Sequence, residues 1–374
     1  MGRVAGREVG MPASVEEVDA AWLTSVLRTS GAISSEHSVA SVTLEPFAEG
    51  LGFLSILHRA TMTYDGAPPD APETVIIKMI TDLAVQRGIA ETLQFYPREL
   101  RFYQEVAPSA GFRSPKAHAA MMADDSAEFV LVMEDLSAIR QLDQVVGVNR
   151  EDSLLAAETM TRMHAGFAGK DLSDLATTFL PFSNPMYEIA LPQIFASGWD
   201  TCKAEAGDLL SPEVIAMGDR FGELVPWFMR QFSSGGTLVH ADWRADNLMV
   251  DDSTGEMVVI DFQIMGTGVP TYDLGYFMSQ SMEPEVRTAC GQEVIDRYFS
   301  SLAATGVDYA AAGFDEAELH NAMRQSMAWC LIYPVSMFGG WDDLTELHQQ
   351  TALQMLRRSA TAIDEYDALA LLPD

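Results

Sequence analysis

The stretch LVHADWRADNLMV places His240, Asp242 and Asn247 in the spacing H-x-D-x-x-x-x-N. A second acid, Asp261, follows the apolar residues of VVIDFQ. A carboxylate such as Asp242 can accept the proton of a hydroxyl group. The oxygens of Asn247 and Asp261 suit Mg²⁺, a hard cation that binds phosphate groups in many active sites. These residue types therefore predict phosphoryl transfer to a hydroxyl.

The residues between Asn247 and Asp261 predict a β-hairpin. Two short segments, NLMVD and MVVID, flank the turn sequence DSTGE, whose Asp, Ser and Gly favour a chain reversal. Because a hairpin brings its ends together, we expect both metal-ligand candidates at one end, with Asp242 in the preceding loop. Turn or helix capping is the alternative role for Asp242 and Asn247. For Asp261 the alternative is an ordinary acid at a strand end.

Lys78 is the only charged residue of the predicted strand TVIIKMI. A buried ammonium group is unfavourable without an anion, so Lys78 requires a carboxylate or a phosphate. Glu99, in the first turn of a helix predicted over 97–107, is the preferred carboxylate, ahead of Glu91 and Glu105. As an alternative, the charge of Lys78 could keep other strands from pairing with an edge strand. Glu99 could simply stabilise the N-terminus of its helix, where the helix dipole is positive.

Gly50 and Gly52 lie between two β-rich segments within residues 42–64. Glycines allow backbone N–H groups to approach phosphates closely. An ordinary hairpin turn without a ligand is the alternative.

The order of these features resembles a known family. Glycine turn, strand lysine, helix glutamate, VMEDL, HADWRADN and IDFQ are similar to the aminoglycoside phosphotransferase and choline kinase group of the protein-kinase-like fold. The EDL and DFQ segments bring the chain closest to the ecdysteroid-kinase-like branch. The resemblance covers about residues 40–280. It implies an α+β, bilobal fold: residues 1–134 form a lobe with an antiparallel sheet and helices, and residues 135–374 form a larger, mostly helical lobe.

The resemblance also implies how a nucleotide is bound. Lys78 would bind the α- and β-phosphates of ATP and pair with Glu99. The backbone of Glu134–Leu136 would form hydrogen bonds with adenine.

In the larger lobe, the resemblance implies a catalytic centre. Asp242 would be the catalytic base, and Asn247 and Asp261 would hold Mg²⁺. His240 would brace the catalytic loop, and Asp273, in PTYDLGYF, would anchor the same loop as a buried acid.

Two positions depart from the patterns of related kinases. The glycine turn reads G-x-G-x-x-S, so Ser55 stands where a third glycine is expected, and its hydroxyl could contact a phosphate. Gln263 replaces the glycine of the protein-kinase DFG motif, which argues against an activation switch of that kind.

Trp243, inside the loop, could touch the acceptor or pack beneath the loop.

Composition limits the possible partners. The chain has 374 residues, of which 48% are hydrophobic, so it can form two lobes with a cleft between them. Its net charge of −31 argues against nucleic-acid binding. This charge could attract a cationic substrate or could only favour solubility. No apolar run is long enough to span a membrane, and three widely separated cysteines fit a reducing cytoplasm.

The sequence thus predicts a cytoplasmic, ATP- and Mg²⁺-dependent phosphotransferase that acts on a small-molecule hydroxyl. A catalytically silent module that binds a nucleotide or another ligand is one alternative. A protein kinase is a weaker one, because His-Ala-Asp replaces His-Arg-Asp and little room remains for an activation loop before PTYDLGYF. The acceptor could be a cationic sugar, an amino alcohol or an apolar alcohol; the choice, the preference for ATP over GTP and the oligomeric state stay open.

Overall fold

A computed structural model describes residues 9–47, 55–66, 68–81, 83–124, 127–233, 236–308 and 315–373. The predicted phosphate-contacting turn at Gly50 and Gly52 lies outside these residues. The chain divides into two compact units. The first comprises Met1–Ser109 and Ser114–Ile139, and the second comprises Ala110–Arg113 and Arg140–Asp374.

The first unit contains a five-stranded antiparallel sheet with the order β1-β2-β3-β5-β4. Its strands are β1 (Ser38–Pro46), β2 (Ser55–Asp65), β3 (Thr74–Ile80), β4 (Ala117–Met122) and β5 (Phe129–Glu134). Its helices are α1 (Ala20–Thr29), α2 (Ala84–Thr92) and α3 (Phe95–Arg101), and a π-helical segment, Phe102–Val106, continues α3. The helix predicted over 97–107 therefore begins two residues earlier than expected.

The two faces of the central strand β3 have different roles. Val75, Ile77 and Met79 join the apolar core beneath α1. Because side chains alternate along a strand, Ile76 and Lys78 lie on the opposite face. Lys78 is therefore held in the middle of the sheet and not at an edge.

The second unit is mostly helical. Its helices are α4 (Arg150–Phe167), α5 (Pro185–Ala206), α6 (Pro212–Asp219), α7 (Phe221–Ser233), α8 (Thr271–Gln280), α9 (Pro284–Ala304), α10 (Glu316–Trp329), α11 (Ile332–Met337) and α12 (Glu346–Glu365). Its short strands are β6 (Arg140–Gln141), β7 (Thr237–Val239), β8 (Leu248–Asp251), β9 (Glu256–Val259) and β10 (Gly266–Gly268). The predicted α+β fold, with an antiparallel sheet in the first part and helices in the second, is confirmed.

The predicted hairpin is also confirmed. Strands β8 and β9 pair antiparallel, with Leu248 opposite Val259 and Asp251 opposite Glu256. Gly255 ends the turn with a φ of +72°, a left-handed conformation that glycine adopts without strain. Within the ranges that the structure covers, no helix is both long and apolar enough to cross a membrane.

Candidate active site

The open end of the β8–β9 hairpin carries the two predicted metal ligands. Beyond the last strand pair, the N–H of Ile260 donates to the carbonyl of Asn247 at 3.0 Å. This bond extends the ladder and places Asn247 and Asp261 at the same end of the hairpin. Asp261 has a φ of +64°, so the chain turns sharply at this acid. A non-glycine residue in this conformation stores strain, which is frequent at functional sites.

The amide of Asn247 has a defined orientation. Its Nδ2 donates to the backbone oxygen and to Oδ2 of Asp242, each at 2.9 Å. Both partners are acceptors, so the nitrogen of the amide must face Asp242. The amide oxygen then points away from Asp242, where it suits a hard cation.

The carboxylate of Asp242 is oriented from two sides. Oδ2 accepts from Asn247, whereas Oδ1 accepts from the hydroxyl of Tyr276 on α8 at 2.5 Å. Burial and the charge of Asp242 raise the pKa of Tyr276 well above its ordinary value. The hydroxyl therefore stays protonated and acts as a donor to Asp242.

His240 links the loop of the H-x-D-x-x-x-x-N motif, residues 240–247, to the hairpin. Its Nδ1 accepts from the N–H of Asp242 at 3.2 Å, and its Nε2 lies 3.0 Å from the carbonyl of Ile260. Because a backbone N–H can only donate, the proton of the imidazole lies on Nε2 and is directed at this carbonyl. The side chain is fully buried. These contacts suit a bracing role.

Asp273 holds the start of the same loop, at His240 and Ala241. Its carboxylate accepts from the N–H of His240 at 2.8 Å and from that of Ala241 at 2.9 Å, and it also contacts Nε2 of His164 at 3.0 Å. The carbonyl of Ala241 accepts from the hydroxyl of Tyr333 at 3.2 Å. Ala241 has a φ of +64°, so hydrogen bonds on both sides of this residue stabilise a strained conformation.

In the first unit, Lys78 pairs with Glu99. Its Nζ lies 2.8 Å from both carboxylate oxygens, and the two residues are only 6% and 2% exposed. Glu91 and Glu105 instead pair with arginines one helical turn earlier in the chain. Since β3 is central in its sheet, the edge-strand alternative for Lys78 is wrong.

The other predicted nucleotide contacts lie around the same sheet. Ser55 is buried at the start of β2. The N–H of Glu134, at the end of β5, donates to the carbonyl of Lys116 at 2.9 Å, and the carbonyl of Leu136 accepts within a tight turn. An adenine bound here would therefore have to use other backbone groups of this segment.

Sequence reasoning missed several residues that shape the loop at 240–247. Tyr276 could have been found, since it lies three positions after Asp273 on one face of α8. Gln144, whose side-chain oxygen accepts from the N–H of Ala245 at 2.9 Å, gave no local signal. Trp243 is fully buried and packs edge-on against His240, so it packs beneath the loop.

Among the described residues, no group of three or more His, Cys, Asp or Glu side chains is arranged to hold a metal ion. A metal at the hairpin would thus depend on one carboxylate, one amide oxygen and oxygens from another molecule. That donor set fits Mg²⁺, which keeps several water or phosphate ligands.

Comparisons with known proteins give one matching family. The model of the ecdysteroid kinase-like family matches residues 49–308, more than half of the chain. No curated protein matches the sequence.

Solved structures share the fold. A candidate aminoglycoside phosphotransferase from Ralstonia eutropha JMP134 is 16% identical with a TM-score of 0.55, and the match covers 94% of this chain and 98% of that one. Macrolide 2′-phosphotransferase type I is 15% identical with a TM-score of 0.50, over 94% and 99% of the two chains. Aminoglycoside 2′-phosphotransferase-IIIa, solved with GDP, is 15% identical with a TM-score of 0.50, over 93% and 97%.

Proposed function

The chain belongs to the ecdysteroid kinase-like family, and we propose that it transfers the γ-phosphoryl group of ATP to a hydroxyl group of a small molecule. The observation that carries this proposal is the carboxylate of Asp242, which Asn247 and Tyr276 orient within an H-x-D-x-x-x-x-N loop.

Asp242 is the proposed catalytic base. The acceptor oxygen forms a bond to the γ-phosphorus while the bond from this phosphorus to the β–γ bridging oxygen breaks. ADP departs, and the hydroxyl proton passes to Asp242. Because the transition state of phosphoryl transfer is loose, positioning and charge neutralisation supply most of the rate enhancement. The two hydrogen bonds to Asp242 fix the base before the acceptor arrives.

Asn247 and Asp261 are the proposed ligands of Mg²⁺. The orientation of the Asn247 amide supports this role, since its oxygen faces away from Asp242. When bound, the ion would neutralise charge on the phosphates.

The first unit supplies the proposed nucleotide contacts. Lys78, held by Glu99, binds the α- and β-phosphates, and the segment Glu134–Leu136 binds adenine. The hydroxyl of Ser55 is a further proposed phosphate contact, and the same role is proposed for Gly50 and Gly52 from the sequence alone, because they lie outside the described residues. The proposed location is the cytoplasm, where both ATP and Mg²⁺ are abundant.

A protein substrate is not favoured. Helix α8 begins at Thr271, so only residues 262–270 separate Asp261 from it. This leaves little chain for an activation loop of the kind that protein kinases use.

The proposal is tested by measuring nucleotide consumption in the presence of candidate acceptors. ATP and GTP are each combined with Mg²⁺ and with cationic sugars, amino alcohols and apolar polyhydroxylated alcohols, and phosphorylated products are identified by mass spectrometry. GTP is included because one structural neighbour was solved with GDP. Transfer to a hydroxyl compound is the expected result. Nucleotide binding without transfer to any acceptor would instead support the catalytically silent module.

A further inference from the structure

Arg244 lies beside the proposed base but, unlike Arg140 in the same unit, it forms no close hydrogen-bonded ion pair with the residues that the structure describes. Its Nε is buried and has no hydrogen-bond partner among the described residues. The nearest carboxylate oxygens are Oδ2 of Asp242, at 3.5 Å from Nε, and Oδ2 of Asp246, at 3.9 Å from Nη1. No hydrogen bond therefore occupies this guanidinium within the part of the chain that the structure covers. By contrast, Arg140 binds Asp152 through two hydrogen bonds of 2.9 and 3.0 Å.

The environment of Arg244 keeps it charged and partly accessible. Burial lowers the pKa of Arg244, but the charges of Asp242, Asp246 and Asp261 outweigh burial and raise this pKa above its ordinary value. The side chain is 30% exposed. A guanidinium carries five N–H donors in a planar arrangement that matches the oxygens of a phosphoryl group. Arg244 thus offers a cation with uncommitted donors next to the proposed base.

We propose that Arg244 is a further catalytic residue, which donates hydrogen bonds to the phosphoryl group while that group passes to the acceptor. This inference rests on the proposed function.

Distances support this role. A base must lie about 3 Å from the hydroxyl it deprotonates, and the attacking oxygen lies about 3 Å from the phosphorus. Nε of Arg244 lies 3.5 Å from Oδ2 of Asp242. A phosphorus attacked by a hydroxyl bound to Asp242 would therefore have its oxygens within reach of the guanidinium. In the transition state these oxygens share the negative charge that an arginine stabilises.

The experiment compares the full chain with its Arg244→Gln and Arg244→Lys variants. Arg113→Gln is a matched control, because Arg113 is 28% exposed and also pairs with an aspartate of the second unit, Asp251, at 2.7 Å. Turnover is followed as ADP release from MgATP with water as the acceptor, so no acceptor needs to be known. Calorimetry gives the dissociation constants of MgADP and of the Mg²⁺ complex of β,γ-imido-ATP, a non-hydrolysable ATP analogue.

We expect Arg244→Gln to lower kcat by about 100-fold or more, as expected when a preorganised donor to the transition state is lost. Binding of the ATP analogue should weaken by about tenfold, since a hydrogen bond to a charged group is lost. The affinity for MgADP should not change, because MgADP lacks the γ-phosphate. Arg113→Gln should match the wild-type chain in all three measurements.

Each other outcome has a distinct meaning. Equal kcat values for Arg244→Gln and Arg113→Gln would overturn the inference. Equal losses of affinity for MgADP and the analogue would also overturn it, because they indicate a general structural role. If Arg244→Gln fails to fold, Arg244→Lys carries the test: it keeps the charge but loses the planar donors, and a wild-type kcat would refute the role. A wild-type chain that binds neither nucleotide would refute the proposed function itself, and the inference with it.

Discussion

The hydroxyl of Tyr276 donates a hydrogen bond to Oδ1 of Asp242 across 2.5 Å. Tyr276 lies on α8, the helix that also provides Asp273 to hold the loop at 240–247. One helix therefore positions both the backbone of the loop and the side chain of its proposed base. Asn247 fixes the other oxygen of this base from the hairpin.

We expect Tyr276→Phe to lower kcat by about 10- to 100-fold, since the base loses a hydrogen bond that a charged group accepts. The ring keeps its shape, so the dissociation constant of MgATP should change little. Steady-state kinetics with calorimetric binding checks this prediction. An unchanged kcat would show that Asn247 alone is enough to orient Asp242.

Asp242→Asn should abolish transfer and leave nucleotide binding largely intact, because the variant removes the proton acceptor without changing the size of the side chain. Transfer is measured with the acceptor found in the panel, and nucleotide binding by calorimetry. Near-normal turnover of this variant would exclude Asp242 as the base.

EDTA should stop turnover, and added Mg²⁺ should restore it. Asp261→Asn should raise the Mg²⁺ concentration needed for half-maximal activity by about tenfold or more, because it removes the charged ligand of the proposed site, and the loss of even an outer-shell partner of a metal ligand costs about 10- to 100-fold in affinity. The measurement is a Mg²⁺ titration of the initial rate for both chains. Transfer that is independent of metal would contradict a site at Asn247 and Asp261.

His118, on β4, is expected to make the first unit less stable in acid. Burial, together with the nearby charge of Lys116, lowers the pKa of His118 from 6.5 to about 4. Between these values the unfolded chain binds a proton that the folded chain does not, so stability is lost as the pH falls from about 6.5 and levels off below about 4. The total loss is about 3 kcal/mol at 1.36 kcal/mol per pKa unit.

The substitution His118→Asn removes this titration and keeps a polar group for Ser30, whose hydroxyl lies 3.2 Å from Nδ1 of His118. Its free energy of unfolding in urea should therefore fall less between about pH 7 and about pH 4.5 than that of the wild-type chain. Equal losses in the two chains would show that folding does not lower the pKa of His118.

The parts of the site that could be predicted from the sequence are those whose contacts are local. Asn247 lies five residues from Asp242, and a short turn with clear signals joins the strands of the hairpin. Spacing and residue type are enough for such contacts. The pairing of Lys78 with Glu99 was also accessible, because a buried charge in an apolar strand needs a partner and few glutamates were available.

Contacts between distant segments could not be predicted. Tyr333 reaches Ala241 across 92 residues, and Gln144 reaches Ala245 across 101. Such contacts depend on how the helices pack, which hydrophobic periodicity does not specify. Arg244 was overlooked for another reason. Its proposed role rests on the lack of hydrogen bonds between its guanidinium and the described residues, and a sequence does not show which donors stay without a partner.

The buried pair of Lys78 and Glu99 affects how loss-of-function data must be interpreted. Replacing the lysine alone would leave the buried carboxylate of Glu99, on α3, without its counter-charge. Such a defect typically destabilises a protein by about 3–5 kcal/mol. An inactive Lys78→Ala chain could therefore be inactive because it is misfolded, even if Lys78 had no role in nucleotide binding. Only the joint replacement Lys78→Met with Glu99→Gln, which removes both charges together, would separate the two causes.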